Sequence, residues 1–363
     1  MQQRVKNARR PSGAAVTSLP PPGIIVMKLI RPLVCMLGVT VGTLCGVAPA
    51  AASDRFAVAE DERGGIVVTL DGKVFTSYVI DQGNKPFVWP VIGPDGVEMT
   101  RSYPMKNVPG EATDHLHHRG INFGHQRIAG VDSWHERDSW GANSKNPNLA
   151  FVGSIRHDGY RTVAGGETAI IDSVSTMLSP IGKPVLAVEQ RLTCAVAGDH
   201  RQIDIAIDLV ATLGPATIED FKDAGLSIRV PESIRVDAKQ GGVIVNSHGD
   251  HDAEAWAKRA AWVDYHGPVN GETYGIAFLS HPSTFRHPTP WHVRTYGLFT
   301  ANPFGLKSLG LQEESAAISL KPNERVSLRY RLLFHRGDEQ QADIAAAFSA
   351  YADTTPAPPG SRP

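Results

Sequence analysis

Cysteine is scarce in this chain: 363 residues carry three, and two of them, Cys35 and Cys45, lie within the first 52. Only Cys194 remains beyond that point, so no intramolecular disulfide can hold the fold and stability must come from core burial. Cys194 sits in an alternating apolar run and reads as a small buried hydrophobe, not a nucleophile. Acidic residues are missing from residues 1–52, which hold Arg4, Lys6, Arg9, Arg10, Lys28 and Arg31. Taking those six from the 36 Lys and Arg leaves 30 against 37 Asp and Glu, a net −7 from Ser53 onward in a chain whose total is −1. An acidic body without a basic stripe argues against nucleic acid as a partner, because phosphate binding needs clustered Lys and Arg. A bilayer-spanning run is also lacking: about 20 apolar residues are needed, and the uncharged stretch from Leu33 to Val47 falls short. There is no G-x-S-x-G, no H-E-x-x-H, no phosphate loop and no G-x-G-x-x-G opening a helix, which disfavours serine hydrolases, helical zinc proteases and nucleotide-binding folds.

What is present begins with a secretory pattern: basic residues, the apolar run, then Ala-Pro-Ala-Ala-Ala-Ser-Asp. Residues 1–52 are expected to be an N-terminal extension and signal peptide, cut after Ala52 or Ala50, giving a periplasmic or secreted mature protein with no membrane span. Met27-Lys28 would begin a signal of ordinary length, so Met1 and Met27 both stay open as the start.

From about residue 56 the dominant period is two. In QIDIAIDLVA, Ile203, Ile205, Ile207 and Leu209 point one way and Asp204 and Asp208 the other. The stretch VLAVEQRLTCAV reads alike, and Ala-Gly-Asp-His between them supplies a turn, so the two predict a long hairpin. Further strands are expected at 65–70, 73–80, 150–157, 167–178, 225–230, 241–246, 273–280, 292–300 and 325–335. One helix is expected at 338–353, with Ile344, Phe348 and Tyr351 on one side. The fold class this predicts is all-β: a large antiparallel β-sandwich over 53–354 with one C-terminal helix. The Pro-rich segment 355–363 reads as a disordered tail. Residues 81–148 break the strand rhythm with Gly, Pro, Asn, His and Trp, the texture of functional loops.

All 14 histidines follow residue 52, and five fall within 115–135. The densest piece, DHLHHRGINFGH, holds Asp114, His115, His117, His118, Arg119 and His125. In an extended conformation His115 and His117 would share one face and His118 the other. Such imidazoles beside Asp114 and Arg119 suit proton transfer near neutral pH. An H-x-H pair can equally chelate, so a divalent metal on His115, His117 and a distant His such as His292 is the competing use. A second constellation, HPSTFRHPTPWHVRTYGLFTANPF (281–304), brings His281, Arg286, His287, Trp291, His292, Arg294 and Tyr296 together on Pro-stiffened turns. It suits a sugar ring stacked on Trp291 or Tyr296 with its hydroxyls held by Arg and His. Trp262, Asp264, Tyr265 and His266 in AWVDYHG are expected to line the same cleft, and GVDSWHE adds Asp132, Trp134 and Glu136.

The same pieces carry a resemblance. KPFVWPVIGPDG (85–96), DHLHHRGINFGH (114–125), GVDSWHE (130–136), AWVDYHG (261–267) and GIAFLSHP with RHPTPWHVRTYGLFTANPFG (275–305) resemble a bacterial family of exported proteins labelled PmoA-like, or methane oxygenase. That resemblance implies an all-β fold similar to the galactose-mutarotase supersandwiches and a link to exported carbohydrate metabolism. In mutarotase-like enzymes two histidines and a carboxylate act as acid and base at a sugar ring, with an arginine orienting it. The resulting expectation is a carbohydrate-active enzyme acting by epimerisation, elimination or glycosidic cleavage on a small-molecule or oligosaccharide substrate. His117 and His118 would be acid and base, with Asp114 orienting an imidazole. Arg119, His125, Trp134, His281, Arg286, His287, Trp291, His292, Arg294 and Tyr296 would bind substrate. A His-ligated metal-dependent oxygenase or hydrolase and a non-catalytic glycan-binding protein are the alternatives.

Overall fold

The alternation becomes two large antiparallel sheets in the computed structural model, which describes residues 54–141 and 144–362; the expected signal segment lies outside them. With strands numbered in chain order, the first sheet has nine. Its spatial order is β1 (Phe56–Glu60), β2 (Ile66–Leu70), β3 (Lys73–Val79), β4 (Phe87–Val91), β5 (Ile121–His125), β11 (Ala224–Arg229), β17 (Leu298–Ala301), β16 (Thr289–Val293) and β13 (Arg259–Ala260). The second has eight, in the order β12 (Val243–Asn246), β14 (Trp262–Val269), β15 (Glu272–Ser280), β19 (Arg325–Arg336), β9 (His200–Val210), β8 (Pro184–Ala197), β7 (Ala169–Leu178) and β6 (Ser154–Ala164). A separate ribbon pairs β10 (Ala216–Ile218) with β18 (Ile318–Leu320).

The predicted hairpin is β8–β9, closed at Ala197↔His200. Its inward residues Ile203, Ile205, Ile207 and Leu209 join Leu328, Tyr330, Leu332 and Phe334 of β19 in one buried cluster. Ile121, Phe123, Leu226, Ile228, Trp291 and Phe299 of the first sheet enter the same cluster, so the core is the layer between the sheets. Each such side chain contributes about 1.5–3 kcal/mol by leaving water. The stretch 292–300, expected as one strand, is two: β16 and β17 are joined by a turn in which Gly297 N donates to Arg294 O (2.9 Å).

The outer faces are covered differently. On the eight-stranded sheet, α1 (Ile344–Ala352) lays Ile344 and Tyr351 against Ala277, Leu279 and Leu333. The helix is shorter than the 338–353 expected, because Asp343 takes a left-handed conformation and caps it, its Oδ1 accepting from Ala346 N. The chain end is docked on this face and is not the expected disordered tail. Gly360 N donates to Asp172 Oδ2 (2.6 Å) and Arg191 Nη1 to Ser361 O (2.8 Å), giving partners to a buried ion pair that the strands alone leave short of them. On the nine-stranded sheet, Asn122 of β5, Ser227 and Arg229 of β11 and His292 of β16 point away from the core. They lie beneath the long connections on either side of β5. No described helix is long and apolar enough to cross a membrane.

Candidate functional site

Gly120 ends the connection into β5 at φ +44°, where a Cβ would stand 2.1 Å from the Val88 carbonyl oxygen; only glycine permits that approach. Just before it, His118 N donates to His115 O (2.9 Å) and His115 itself takes φ 45°. The segment is therefore a turn and not the extended run expected, so the three imidazoles gather. The His117 and His118 ring centroids are 4.3 Å apart, and His115 lies parallel to His118 at 5.0 Å. After β5, the fully buried Asp132 accepts from the amides of Trp134 and His135 on Oδ1 (3.0 Å each) and from His135 Nδ1 on Oδ2 (2.9 Å). That sets the His135 ring 4.8 Å from His117. From β16 and the turn beyond it come His292, Arg294 and Tyr296. With Trp134, Ser139, Trp140, Lys222, Asp223 and Leu298, these residues line one cavity of about 440 Å³.

Each of the five imidazoles has Nδ1 engaged. His115 Nδ1 meets Asp114 Oδ2 at 2.6 Å, His135 Nδ1 meets Asp132, and His292 Nδ1 meets Lys222 O at 2.7 Å. These partners accept, so Nδ1 carries the proton and Nε2 is left as an acceptor. Arg229 Nη1, 3.4 Å from His118 Nδ1, can only donate, which puts the neutral His118 proton on Nε2. Ser139 Oγ accepts from Glu136 N (2.9 Å) and lies 2.9 Å from His117 Nδ1. The Ser139 hydroxyl can donate to that nitrogen or accept from it, so the contact holds the His117 ring without choosing its tautomer.

Burial, reinforced by the charges of His135 and Lys85, pulls His117 well below the ordinary histidine range. Burial, with His117 and Arg229 nearby, does the same to His118, and burial lowers His292 to about 4. All three rings are neutral at pH 7. Asp114 goes the other way: burial pushes it up, but the His115 hydrogen bond and the charges of Arg229 and Arg101 outweigh that and hold it well below the carboxylate range. Lys85, fully buried behind the pocket, donates to Trp134 O (2.8 Å) and Asn84 Oδ1 (3.0 Å), and burial brings it down to about 8.

Several expected site residues lie elsewhere. Arg119 grips Glu136 through two hydrogen bonds (2.6 and 2.8 Å) and ties the two loops together without lining the cavity. His125 is buried, accepts from Arg127 N on Nδ1 (2.8 Å) and is pulled to about 3 by burial. Trp291 is in the inter-sheet core, its Nε1 donating to Ala260 O (3.0 Å), because alternation on β16 sends it opposite to His292. Tyr296 lines the cavity as expected, with His115 stacked on its ring and the Arg229 guanidinium 5.0 Å from its centroid. His281 and His287 face the C-terminal segment, His281 at Thr354 O (3.1 Å) and His287 stacked on Phe348. Arg286 donates to Pro303 O and Ala316 O (3.0 and 2.6 Å). Asp264 and His266 are on the outer face of the eight-stranded sheet, while Tyr265 is buried in the core; Trp262 packs with α1. None of the four reaches the cleft they were expected to line. Sequence reasoning missed His135, Ser139, Trp140, Lys222 and Asp223, and the buried Arg101 and Arg229 that fix Asp114.

A metal centre is not closed in the pocket. Among the described residues, three potential ligand atoms come within 4.8 Å of one another at one place, Asp264, His266 and Glu339. His115, His117 and His292 share the cavity without forming such a triad. At the Asp264 cluster both carboxylate oxygens already meet imidazole nitrogens, of His266 (2.6 Å) and His335 (2.7 Å).

A family model described as "Family of unknown function (DUF6807)" matches residues 65–349. A search of curated proteins returns no match. Among solved structures, the chain is similar to that of a "Putative aldose 1-epimerase" from Escherichia coli K12. The identity is 12%, over 78% of this chain and 97% of that chain, with a TM-score of 0.28.

Proposed function

The chain belongs to the family of unknown function DUF6807, so no activity reaches it by descent, and we propose from its own site that it is an exported carbohydrate-active enzyme. The reaction is proton transfer at or beside a sugar carbon, as in epimerisation, elimination or glycosidic cleavage. One observation carries this reading: five imidazoles around one cavity, each with Nδ1 held by a partner, of which His118 presents an Nε2 donor and His115, His135 and His292 present Nε2 acceptors. An imidazole that takes and returns a proton, beside another that donates a hydrogen bond to a substrate oxygen, is what acid-base catalysis at a C–H requires.

His135 Nε2 is the base in this reading, since buried Asp132 holds the ring and stabilises the imidazolium that forms. The His135 imidazolium then returns the proton to the substrate, and neutral His118 donates its Nε2–H as a hydrogen bond to a substrate oxygen, with His117 4.8 Å from His135. Asp114 orients His115 and is held ionised by two arginines. Trp140 supplies the aromatic face for a sugar ring, and Arg294, Asp223 and Lys222 are within the same cavity for its hydroxyls. Export is supported by the basic, apolar and small-residue order of residues 1–52, and N-terminal sequencing of exported protein should begin near Ser53 or Ala51.

The test is proton NMR of mono- and disaccharides incubated with the protein in deuterated water. Deuterium entering a sugar C–H position, or a new product, is the expected result, and it should be lost in His135→Ala and His117→Ala. Sugar binding with no chemical change in any case would make the protein a glycan binder. Absence of any sugar binding would refute the reading.

A further inference from the structure

We infer that the sugar held in this pocket carries a carboxylate, which makes the substrate class a uronic acid; the inference rests on reading the pocket as a sugar site. The first ground is charge. From Ser53 onward the chain is acidic, at −7, yet the pocket has the opposite sign. Its lining includes Lys222 and Arg294 against Asp223. Directly behind, the buried guanidiniums of Arg101 and Arg229 both turn to the single carboxylate of Asp114 (2.7 and 2.8 Å). With Glu111 beside Arg101 as a third anion, those four cations leave an excess of one positive charge. The neighbouring Arg119 and Lys85 do not add to it, because Glu136 and Asp132 stand beside them.

The second ground is that one of these cations is positioned and unanswered. Among the described residues no carboxylate lies within 4.0 Å of Arg294. Its guanidinium is seated instead near aromatic rings, 5.5 Å from Trp256 and 5.7 Å from Tyr296. Arg229 stands over the same Tyr296 ring, 5.0 Å away, with its Nε buried and without a partner. Like charges gathered in a desolvated wall cost free energy until an anion arrives, and a concave site of one sign concentrates that field on its contents. A planar carboxylate matches the fork of one guanidinium. In a uronic acid the carboxylate is bonded directly to a ring carbon, so a ring held on Trp140 and facing the histidines keeps its anion inside the cavity. It also acidifies the adjacent C–H, the proton a neutral imidazole is suited to remove.

Isothermal titration with matched pairs tests this: D-glucuronate against D-glucose and D-galacturonate against D-galactose, with D-glucose 6-phosphate as a further ligand. At least one uronate should bind about tenfold or more tightly than its neutral partner, and the preference should shrink as salt is raised. Arg294→Met should bring the ratio of uronate to neutral-sugar affinity close to one. Equal binding of the pairs, tighter binding of the sugar phosphate, or a preference that survives Arg294→Met overturns the carboxylate. If neutral sugars bind and are processed as well as uronates, the sugar site stands and only the carboxylate falls; if no sugar binds, both fall.

Discussion

His117 and His118 are neighbours in sequence and both nearly buried, at 5% and 3% exposure, yet they are supported differently. Removing the His118 ring leaves Arg229 Nη1 facing a void beside Trp134. The expected cost of His118→Ala is about 1–3 kcal/mol. His117→Ala leaves Ser139 still bonded to the Glu136 amide, so its cost should stay below about 1 kcal/mol. Urea denaturation of the two variants checks the order, and equal costs would show that the Arg229 contact contributes nothing. A local reading of the sequence finds DHLHHRG because charge and imidazole crowd into it. It misassigns Arg119 and Trp291 because composition does not show which neighbour answers a charge or which face a strand residue takes. His135 was marked by the Asp132-x-x-His135 spacing, with Glu136 drawing attention instead. Arg101 and Arg229 carried no local mark, since they reach Asp114 across 13 and 115 residues.

At the scale of elements, period-two alternation is a reliable sign of strands because one face must leave water. It is less able to find ends, which here depend on turns such as the one splitting β16 from β17. The charge network that spans β14, β19 and the approach to α1 was not legible at all, since its members are brought together only by strand pairing. In that network burial pushes Asp264 up, but the charges and hydrogen bonds of His335 and His266 outweigh it and leave the carboxylate lowered. Burial pulls His266 down, yet the Asp264 hydrogen bond and charge, with Glu339 adding to them, leave it raised. The lowered Asp264 stabilises above the ordinary carboxylate range and loses this as pH falls through its folded value. The raised His266 stabilises fully below its ordinary value of about 6.5 and loses this as pH rises through its folded value. Glu339, 3.7 Å from His266 Nδ1, interacts with the charged ring only. Glu339→Gln should therefore cost about 0.5–1 kcal/mol near pH 6 and close to nothing near pH 9. Denaturation curves at the two pH values decide it, and an equal loss at both would mean that His266 is not the partner.

Across the whole molecule, the order of strands is what the sequence hides most completely. β5 lies beside β11, and β11 beside β17, so segments far apart in the chain meet on one sheet face, and only long-range packing decides that. The consequence is a pocket whose walls come from loops on β5, β11, β16 and β17 while the helix and chain end occupy the opposite outer face. The buried cluster between the sheets draws on strands of both without a break, which argues for one cooperative unit and against two sheets that melt separately. A ligand seated on the first sheet should then stabilise the second as well. At a concentration of about 100 times its Kd, a bound sugar is expected to add about 2.7 kcal/mol to the unfolding free energy. That should raise the melting temperature by several degrees at this size. Calorimetry should show one transition that moves as a whole. Two transitions, of which the ligand moves one, would show that the sheets fold as separate units.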